Sequence, residues 1–539
     1  MKKFALVILF LVLFGLVINF LIINPVDFTN SNSHEQRKDA TLVNKADDYY
    51  SLWEDEADSQ SVYPGELDNV EKTTNDKIKY MNHLKGYQFD YPSSWKLDNH
   101  QPENYARLYT KNFRVDVTVQ NTKEINVTPH GYIFHTLNAV KPYITSDNTF
   151  NSSNFEVREV DYTRPKLKSL EHDLNYYSYF FITKGNYVYT FQLKTSKETL
   201  NDSKTQLKEL FNSFAVTKPK NINLNSKVKT VDNNIEVSLN HDNKSLVIPK
   251  NHFLMGIYTP TPLDINKLDT FVDNHIGAQM FYKPVNSEFD GYVDQLIQQS
   301  RLPVVTFLFE RANSDKNEDV VSSIINGEFD ANFKNWGEGI KKTGAPVFLR
   351  LGNEMNGNWS DWSHKNNYND PDLYKLAFRH IVSIFKKDHV DNAYFIWNPN
   401  VVSAPLFDWN HAAMYYPGDD FVDFVGMTYY NFGKTEYSHY KSFDELYGDL
   451  YWNYARSFAA KPLVIGEFGA VETGGDKAQW ISDMFNHIPT KYPKIKAAIW
   501  FDETHGKYDL RIHSSETSAN AFKEGMNKNE VVKSLSDKQ

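Results

Sequence analysis

The chain contains no cysteine among its 539 residues. This absence excludes structural disulfides, thiol catalysis and lipidation at a lipoprotein cysteine. A basic surplus is also missing, because 58 Lys and Arg are outweighed by 68 Asp and Glu, which gives a net charge of −10. We therefore expect no nucleic-acid partner.

Patterns that bind metals or phosphates are absent as well. No His-x-x-x-His pair or carboxylate cluster has the spacing of metal ligands, and His364, His411 and His505 each stand singly. The pair Gly474-Gly475 is typical of a turn and not of a phosphate-binding loop. We expect no metal and no cofactor.

The first 25 residues have the pattern of an export signal. Lys2 and Lys3 precede an apolar run that extends from Phe4 to Ile23. About 20 apolar residues suffice to span a bilayer, and no small-residue cleavage motif follows the run. We predict an uncleaved signal-anchor in the cell membrane with the remainder of the chain outside. A cleaved signal and a secreted protein are the alternative.

The chain is too long for one ordinary domain. Residues 26–79 are polar and acidic, and we predict that they form a flexible linker. Residues 80–217 predict a small α+β domain, because short alternating strands precede one helix. The predicted strands are 86–92, 113–120, 176–182 and 187–193, and the predicted helix is 203–211.

Two short motifs in the 80–217 segment resemble small extracytoplasmic domains of the PsbP-like type. They are Tyr91-Pro92-x-x-Trp95 near its start and Phe211-Asn212-Ser213-Phe214 at its end. No catalytic cluster is visible between them. The expected role is a spacer or a binding module for cell wall, glycan or protein.

After a linker at 218–250, which has room for a strand pair at 235–238 and 245–248, residues 251–535 alternate apolar strands with helical segments. Eight strands in this arrangement predict a (β/α)8 barrel of the α/β class, whose active sites lie at the C-terminal strand ends. The predicted strands are 254–258, 278–282, 303–309, 347–351, 393–397, 421–428, 463–467 and 497–501.

Two of these strands end in a glutamate. Glu354 follows the fourth strand, and Glu467 ends the seventh between Gly466 and Gly469. A single glutamate after a strand is usually a solvated loop residue or a helix cap. Two carboxyl groups at strand ends of one barrel are, however, the minimum equipment for glycoside hydrolysis.

The stretches Arg350 to Trp362 and Pro462 to Gly469 resemble the two signature regions of glycoside hydrolase family 26, the β-mannanase family of retaining (β/α)8 barrels. The resemblance implies that Glu354 is the acid/base and Glu467 the nucleophile. Asn353 departs from the family, which usually has His there. Asn is common at this place in the wider clan, where it contacts the sugar 2-hydroxyl, so the departure bears on the substrate.

Further candidate substrate-binding residues lie at the ends of other predicted strands. Tyr430 matches the family's tyrosine that hydrogen-bonds the nucleophile, and Trp500 matches the clan's platform beneath the scissile sugar. Trp397 is either a site residue or barrel core, and Trp409 is an outer-subsite candidate. The complete predicted substrate-binding set is Arg350, Asn353, Asn356, Trp359, Trp362, Trp397, Tyr430 and Trp500.

We predict a retaining, endo-acting β-glycoside hydrolase that cleaves a β-mannan-type polysaccharide by double displacement, as a monomer. The Asn353 departure leaves β-glucan, β-1,3-xylan or the cell's own exopolysaccharide as alternative substrates. A non-catalytic glycan-binding protein of the cell surface is the alternative outside enzymes.

Overall fold

The computed structural model describes residues 49–57, 67–74, 76–222, 224, 234–261, 264–312, 319–435 and 438–537. The predicted signal-anchor at 1–25 lies outside these residues. Within the described ranges, no helix has the length and apolarity needed to cross a membrane.

In the described residues, the N-terminal unit contains three helices, one 3-10 turn and two antiparallel sheets. The sheets have the strand orders β1-β2-β3-β11 and β4-β5-β6-β10-β9-β8-β7. The elements are α1 Tyr49–Ala57, β1 Asp68–Lys72, β2 Lys77–Asn82, β3 Tyr87–Pro92, β4 Lys96–Asp98, β5 Ala106–Tyr109, β6 Phe113–Asn121, α2 Pro129–Asn138, a 3-10 turn Lys141–Tyr143, β7 Ile144–Asn151, β8 Glu156–Thr163, β9 Tyr176–Lys184, β10 Tyr187–Thr195, α3 Leu200–Ser213 and β11 Ala215–Val216.

The four predicted strands correspond to β3, β6, β9 and β10, and the predicted helix to α3. The predicted flexible linker at 26–79, in contrast, is folded in three described stretches. Helix α1 buries Leu52 and Trp53 completely, and strands β1 and β2 pair in the first sheet. The acidic composition was misleading here because Tyr49 and Trp53, which lie among the charges, are core residues.

The second unit contains the barrel strands and the helices between them. Its elements are β12 Val237–Asn240, β13 Lys244–Ile248, β14 Phe253–Tyr258, α4 Asp264–Val272, β15 Ala278–Pro284, α5 Tyr292–Gln298, β16 Leu302–Leu308, α6 Val320–Ile325, α7 Asp330–Thr343, β17 Val347–Leu351, α8 Pro371–Lys387, β18 Ala393–Trp397, 3-10 turns Asp408–Asn410 and Ala412–Tyr415, β19 Phe424–Thr428, α9 Phe443–Ser457, β20 Leu463–Phe468, α10 Lys477–Lys491, β21 Ile495–Phe501, β22 Thr504–His505, β23 Tyr508–Asp509, α11 Glu516–Met526, β24 Val531–Val532 and β25 Ser536–Asp537.

Strands β14 to β21 form a closed parallel barrel. Each strand pairs with the next along the chain, and β14 pairs with both β15 and β21. The prediction of a (β/α)8 barrel is confirmed. The bounds of β17 and β18 coincide with the predicted 347–351 and 393–397.

The hairpin β12–β13 belongs to the barrel, although it lies in the predicted linker at 218–250. Val237, Leu239, Leu246 and Ile248 are fully or almost fully buried, in one cluster with residues from the beginnings of the barrel strands. The hairpin therefore closes the N-terminal end of the barrel and leaves the C-terminal end for a site.

A buried ionic cluster fastens the N-terminal unit to helix α8. Asp372, fully buried in the first turn of α8, accepts hydrogen bonds from Trp53 of α1 and Lys194 of β10, both at 3.1 Å. It also pairs with Arg114 of β6 and, at 2.8 Å, with Lys375 of its own helix. One carboxylate thus joins three parts of the chain.

Burial by itself raises the pKa of Asp372, but the attraction of Arg114, Lys194 and Lys375 outweighs it and holds this pKa well below its usual value. Replacing Asp372 by Asn removes one counter-charge from each of these three buried cations. Each cation keeps a second carboxylate partner, and these partners are Asp116, Asp370 and Glu56. We expect Asp372→Asn to lower the free energy of unfolding by about 1.5–3 kcal/mol, the range for lost hydrogen bonds to charged groups, measured by urea denaturation at pH 7.

The matched control is Asp147→Asn, which breaks a 2.7 Å pair with Arg158 between side chains that are 46% and 35% exposed. This change should cost at most about 1 kcal/mol. Because the folded pKa of Asp372 is depressed, the gap between wild type and Asp372→Asn should narrow as the pH falls below about 4. Equal losses for both variants would contradict the assigned role of the cluster.

Candidate active site

The loop after β17 makes an abrupt turn that places Glu354 over the barrel. Gly352 has φ +51°, and a Cβ there would lie 2.8 Å from the ring of Phe309. Glu354 itself has φ +54°, a conformation that is uncommon for a glutamate. Its amide donates to the carbonyl of Asn398 at 2.8 Å, which ties this turn to the end of β18. Strained backbone that is held in this way is typical of functional sites.

The carboxyl group of Glu354 is held by two neutral donors. Trp359 donates its indole N–H to Oε2 at 2.9 Å, and Asn400 donates its amide to Oε1 at 2.7 Å. Glu354 is only 7% exposed. Its orientation is therefore fixed from both sides.

The carboxyl group of Glu467 is held by one cation and one hydroxyl. Arg350 of β17 donates from Nη1 to Oε1, and Tyr430 donates its hydroxyl to Oε2, both at 2.5 Å. Arg350 also donates from Nη2 to the Thr428 hydroxyl at 3.2 Å. Strands four, six and seven of the barrel therefore jointly position Glu467.

The two carboxyl groups are electrostatically coupled and differ in their surroundings. Burial raises the pKa of Glu354, which Arg350 opposes from a distance. Burial and the charge of Glu354 raise the pKa of Glu467, while Arg350 and Tyr430 oppose this. Burial lowers the pKa of Arg350 to about 10, so it stays cationic at neutral pH. Because the cation bonds directly to Glu467, a single negative charge on the pair belongs on Glu467 and the proton on Glu354.

Asn353 has the most unusual environment of the predicted binding residues. Its side chain is fully buried, and neither its amide nitrogen nor its amide oxygen has a hydrogen-bond partner among the described residues. Its backbone carbonyl accepts the indole N–H of Trp362 at 2.6 Å. A buried amide without partners is costly and points to a ligand that completes it.

Asn356 and Trp362, which we predicted as substrate-binding residues, hydrogen-bond to neighbouring loop residues. Asn356 is fully buried and uses its amide on the loop after β18, donating to Ser403 at 3.0 Å and accepting from the Asn400 backbone at 2.8 Å. Trp362 is 1% exposed and supports Asn353 from behind. Asn356 and Trp362 therefore position neighbouring residues, whereas Trp359 contacts Glu354 directly.

Trp397 and Trp500, which we predicted as substrate contacts, lie in the apolar core. Both side chains are 0% exposed and point outward, toward the helices. Trp397 packs against Tyr416 and Phe458, with ring centroids 5.1 Å apart in each case. Trp500 donates to the Leu510 carbonyl at 2.8 Å.

The inward aromatic residue at the end of β21 is Phe501, stacked on Tyr258 at 4.7 Å. Alternate residues of a strand face opposite sides, so a prediction that is wrong by one position selects a core residue instead of a site residue. Trp409, the outer-subsite candidate, donates to Thr136 of the N-terminal unit at 3.1 Å.

Several residues near the pair were missed from the sequence. Asn400, three residues after Trp397, contacts Glu354 directly. The hydroxyl of Tyr282 has no hydrogen-bond partner among the described residues. Burial is the main cause that raises the pKa of this hydroxyl, and the charge of Glu467 raises it further. Glu503 hydrogen-bonds Tyr258, and its burial raises its pKa to about 7. No pattern distinguishes these residues, since each is one polar residue at a strand end.

Among the described residues, no group of three or more His, Asp and Glu could hold a metal ion. The functional groups that converge are two carboxyl groups, one guanidinium, amides and aromatic rings. A (β/α)8 barrel that carries such a carboxyl pair at its C-terminal rim is the architecture of barrel glycosidases.

Residues 301–515 match the family model described as glycosyl hydrolase family 26. This match supports the expected resemblance to the family over residues 301–515, whereas a PsbP-like domain is not shown.

Three curated proteins are similar to parts of the chain. Endoglucanase H of Acetivibrio thermocellus is 35% identical over 207 residues, which are 38% of this chain and 22% of that protein. Beta-1,3-xylanase TXYA of a Vibrio species is 31% identical over 111 residues, 20% of this chain and 22% of that protein. Mannan endo-1,4-beta-mannosidase of Bacillus subtilis is 29% identical over 174 residues, 30% of this chain and 41% of that protein. The chain thus spans well under half the length of each.

Substitutions of Asn353 and Asn356 distinguish a residue that contacts the ligand from a residue that stabilises the fold. Asn353→Ala removes an amide with no hydrogen bond to the described protein, so we expect unchanged stability and a kcat/KM about 10- to 100-fold lower. Asn356→Ala breaks the ties between two loops and should lower the free energy of unfolding by about 1–3 kcal/mol. Reducing-sugar assays and thermal unfolding measure both. A large stability loss in Asn353→Ala would oppose its role as a ligand contact.

Tyr430→Phe tests how the charge on Glu467 is stabilised. The lost hydroxyl destabilises the ionised carboxylate, so the pKa of Glu467 should rise and the acidic limb of the pH profile of kcat/KM should move to higher pH. At the optimum we expect a loss of about 10- to 100-fold. Tyr416→Phe, which removes a hydroxyl bonded to Asp419 at 2.6 Å outside the site, is the control and should leave the limb in place. An unmoved limb in Tyr430→Phe would refute this account.

Proposed function

We propose that this protein is a retaining, endo-acting β-glycoside hydrolase whose substrate is a β-mannan-type or related polysaccharide. The observation that carries the proposal is the unequal surroundings of the carboxyl pair. Glu467 bonds to a cation and a hydroxyl, whereas Glu354 bonds only to an indole and an amide. The pair therefore has one ionised and one protonated member, as double displacement requires.

In the first step, Glu467 attacks the anomeric carbon while Glu354 gives its proton to the departing glycosidic oxygen. Arg350 and Tyr430 hold the attacking carboxylate in place and ionised. In the second step, Glu354 removes a proton from water, which displaces Glu467 and restores the original anomeric configuration. Asn353 is the group proposed to bind the sugar hydroxyl beside the reacting carbon.

The proposed substrates have one of three polysaccharide backbones. The three relatives are named for activity on glucan, β-1,3-xylan and mannan, so a barrel of this family is compatible with each. The cell's own exopolysaccharide is a further candidate if the predicted anchor at 1–25 holds the enzyme at the membrane. We propose that the protein is anchored in the membrane, with secretion as the alternative, and that it is a monomer. We also propose, on the sequence motifs alone, that the N-terminal unit is PsbP-like.

The deciding experiment measures reducing-sugar release from mannan, glucomannan, mixed-linkage glucan, β-1,3-xylan and the producer's exopolysaccharide. We expect wild type to cleave at least one polymer, and Glu354→Ala and Glu467→Ala to lose at least about a thousandfold in kcat. The control is Glu472→Gln, a partly exposed carboxylate just beyond β20 that bonds Ser514 and Ser518 at 2.7 and 2.8 Å. This control should retain activity.

Azide distinguishes the roles of the two carboxyl groups with an activated aryl glycoside. Azide added to Glu467→Ala should replace the missing nucleophile and give a glycosyl azide of inverted configuration. Azide added to Glu354→Ala should intercept the glycosyl-enzyme and give the retained configuration. Exchanged outcomes would reverse the assignments, and binding of a polymer without cleavage would identify a non-catalytic glycan-binding protein.

A further inference from the structure

A cleft of about 680 Å³ lies where the N-terminal unit meets the flank of the barrel, outside the carboxyl pair. Both units supply its walls. The N-terminal unit contributes Asn104, Asn121 and Tyr187, and the barrel contributes Tyr429, Asn453 and Tyr454.

The cleft has fixed walls because hydrogen bonds join its two sides. Lys85 of the N-terminal unit pairs with Asp408 of the barrel at 3.1 Å, and both line the cleft. The amide of Asp408 donates to the side chain of Gln120 at 2.9 Å. A ligand therefore meets a preformed surface, which lowers the entropy cost of binding.

The chemistry of the lining fits a neutral polyol. Val119, Tyr454 and Phe458 are almost fully buried and give the cleft an apolar side. Amide groups and tyrosines surround it, and sugars offer both hydroxyls and flat C–H faces to such groups.

The charged side chains of the lining argue against an anionic ligand. Four carboxyl groups line the cleft against one lysine and one arginine, and a phosphate or sulfated polymer would be repelled. The carboxyl groups belong to Glu103, Glu124, Asp408 and Glu445, and the cations are Lys85 and Arg456.

One end of the cleft lies beside the catalytic loops. Val401 directly follows Asn400, which contacts Glu354, and Tyr429 directly precedes Tyr430, which contacts Glu467. From there the cleft follows helix α9 from Glu445 to Ser457. The loops that contact the carboxyl pair therefore also contribute to the cleft lining.

We propose that the cleft is a second carbohydrate-binding site, which holds a neutral stretch of the same polysaccharide that the barrel cleaves. The proposal rests on the proposed function for the identity of the polymer. It makes the N-terminal unit part of the glycan-binding surface, so that a fragment without this unit lacks half of the site.

The test uses the full chain in a Glu467→Ala background, so that bound polymer is not cut. Tyr187→Ala changes the N-terminal wall, and Asn453→Ala changes an exposed position of α9, where alanine favours the helix. The control is Phe271→Ala, which removes a ring of 43% exposure on α4, outside the cleft lining. Titration calorimetry measures binding of each soluble polymer of the panel and of a trisaccharide with the same backbone, and circular dichroism monitors folding.

We expect each cleft variant to weaken polymer binding about fivefold and the two together by more than tenfold, as expected for lost ring and amide contacts. Trisaccharide binding at the catalytic centre and polymer binding by Phe271→Ala should not change. Unchanged polymer affinity in the folded double variant, or no polymer binding by any variant, would overturn the proposal.

The two proposals fail in different ways. If wild type cleaves a polymer and the double cleft variant binds it normally, the cleft assignment fails and the hydrolase stands. If wild type cleaves nothing, but the double cleft variant loses binding that the control retains, the cleft stands as a glycan site and the hydrolase fails.

Discussion

The site depends on one buried charge, the guanidinium of Arg350 inside the closed barrel. The desolvation of a cation at 0% exposure is costly unless an anion compensates it, and Glu467 is the carboxylate that bonds to it directly. This pairing fixes strand four against strand seven. It also decides which carboxyl group of the coupled pair bears the negative charge, since Glu354 has only neutral donors. The barrel fold and the proposed chemistry therefore share a single electrostatic requirement.

Buried ion pairs also hold the N-terminal unit to the barrel. Asp372 pairs with cations from β6, β10 and α8, while Trp53 of α1 donates to it. This arrangement fixes the relative position of the two units and so creates the walls of the cleft between them. Residues 26–79 were predicted to be a flexible linker, but helix α1 within them is folded and contributes Trp53 to this cluster.

The sequence predicted those features that depend on local order along the chain. Apolar runs bounded by Gly and Pro gave all eight barrel strands, and their C-terminal ends located Glu354 and Glu467. It failed where a single residue had to be assigned to one face of a strand or to a remote partner. Trp397 and Trp500 lie one position from inward-facing residues, and Asn356 looks like a ligand contact until its partners on the next loop are known. Asn400 was not among the predicted site residues, because an asparagine after a strand is equally common in an ordinary turn.

By itself, the sequence determined the barrel, its strand order and the two carboxyl groups, because periodicity and strand ends are properties of short segments. Only the tertiary structure decided which neighbours tune those carboxyl groups, which tryptophans are core, and that α1 and the hairpin β12–β13 are folded parts. These outcomes depend on contacts between residues hundreds of positions apart, such as Trp53 with Asp372. Contacts of that kind follow from how complete surfaces fit together, and no local pattern in a single chain encodes them.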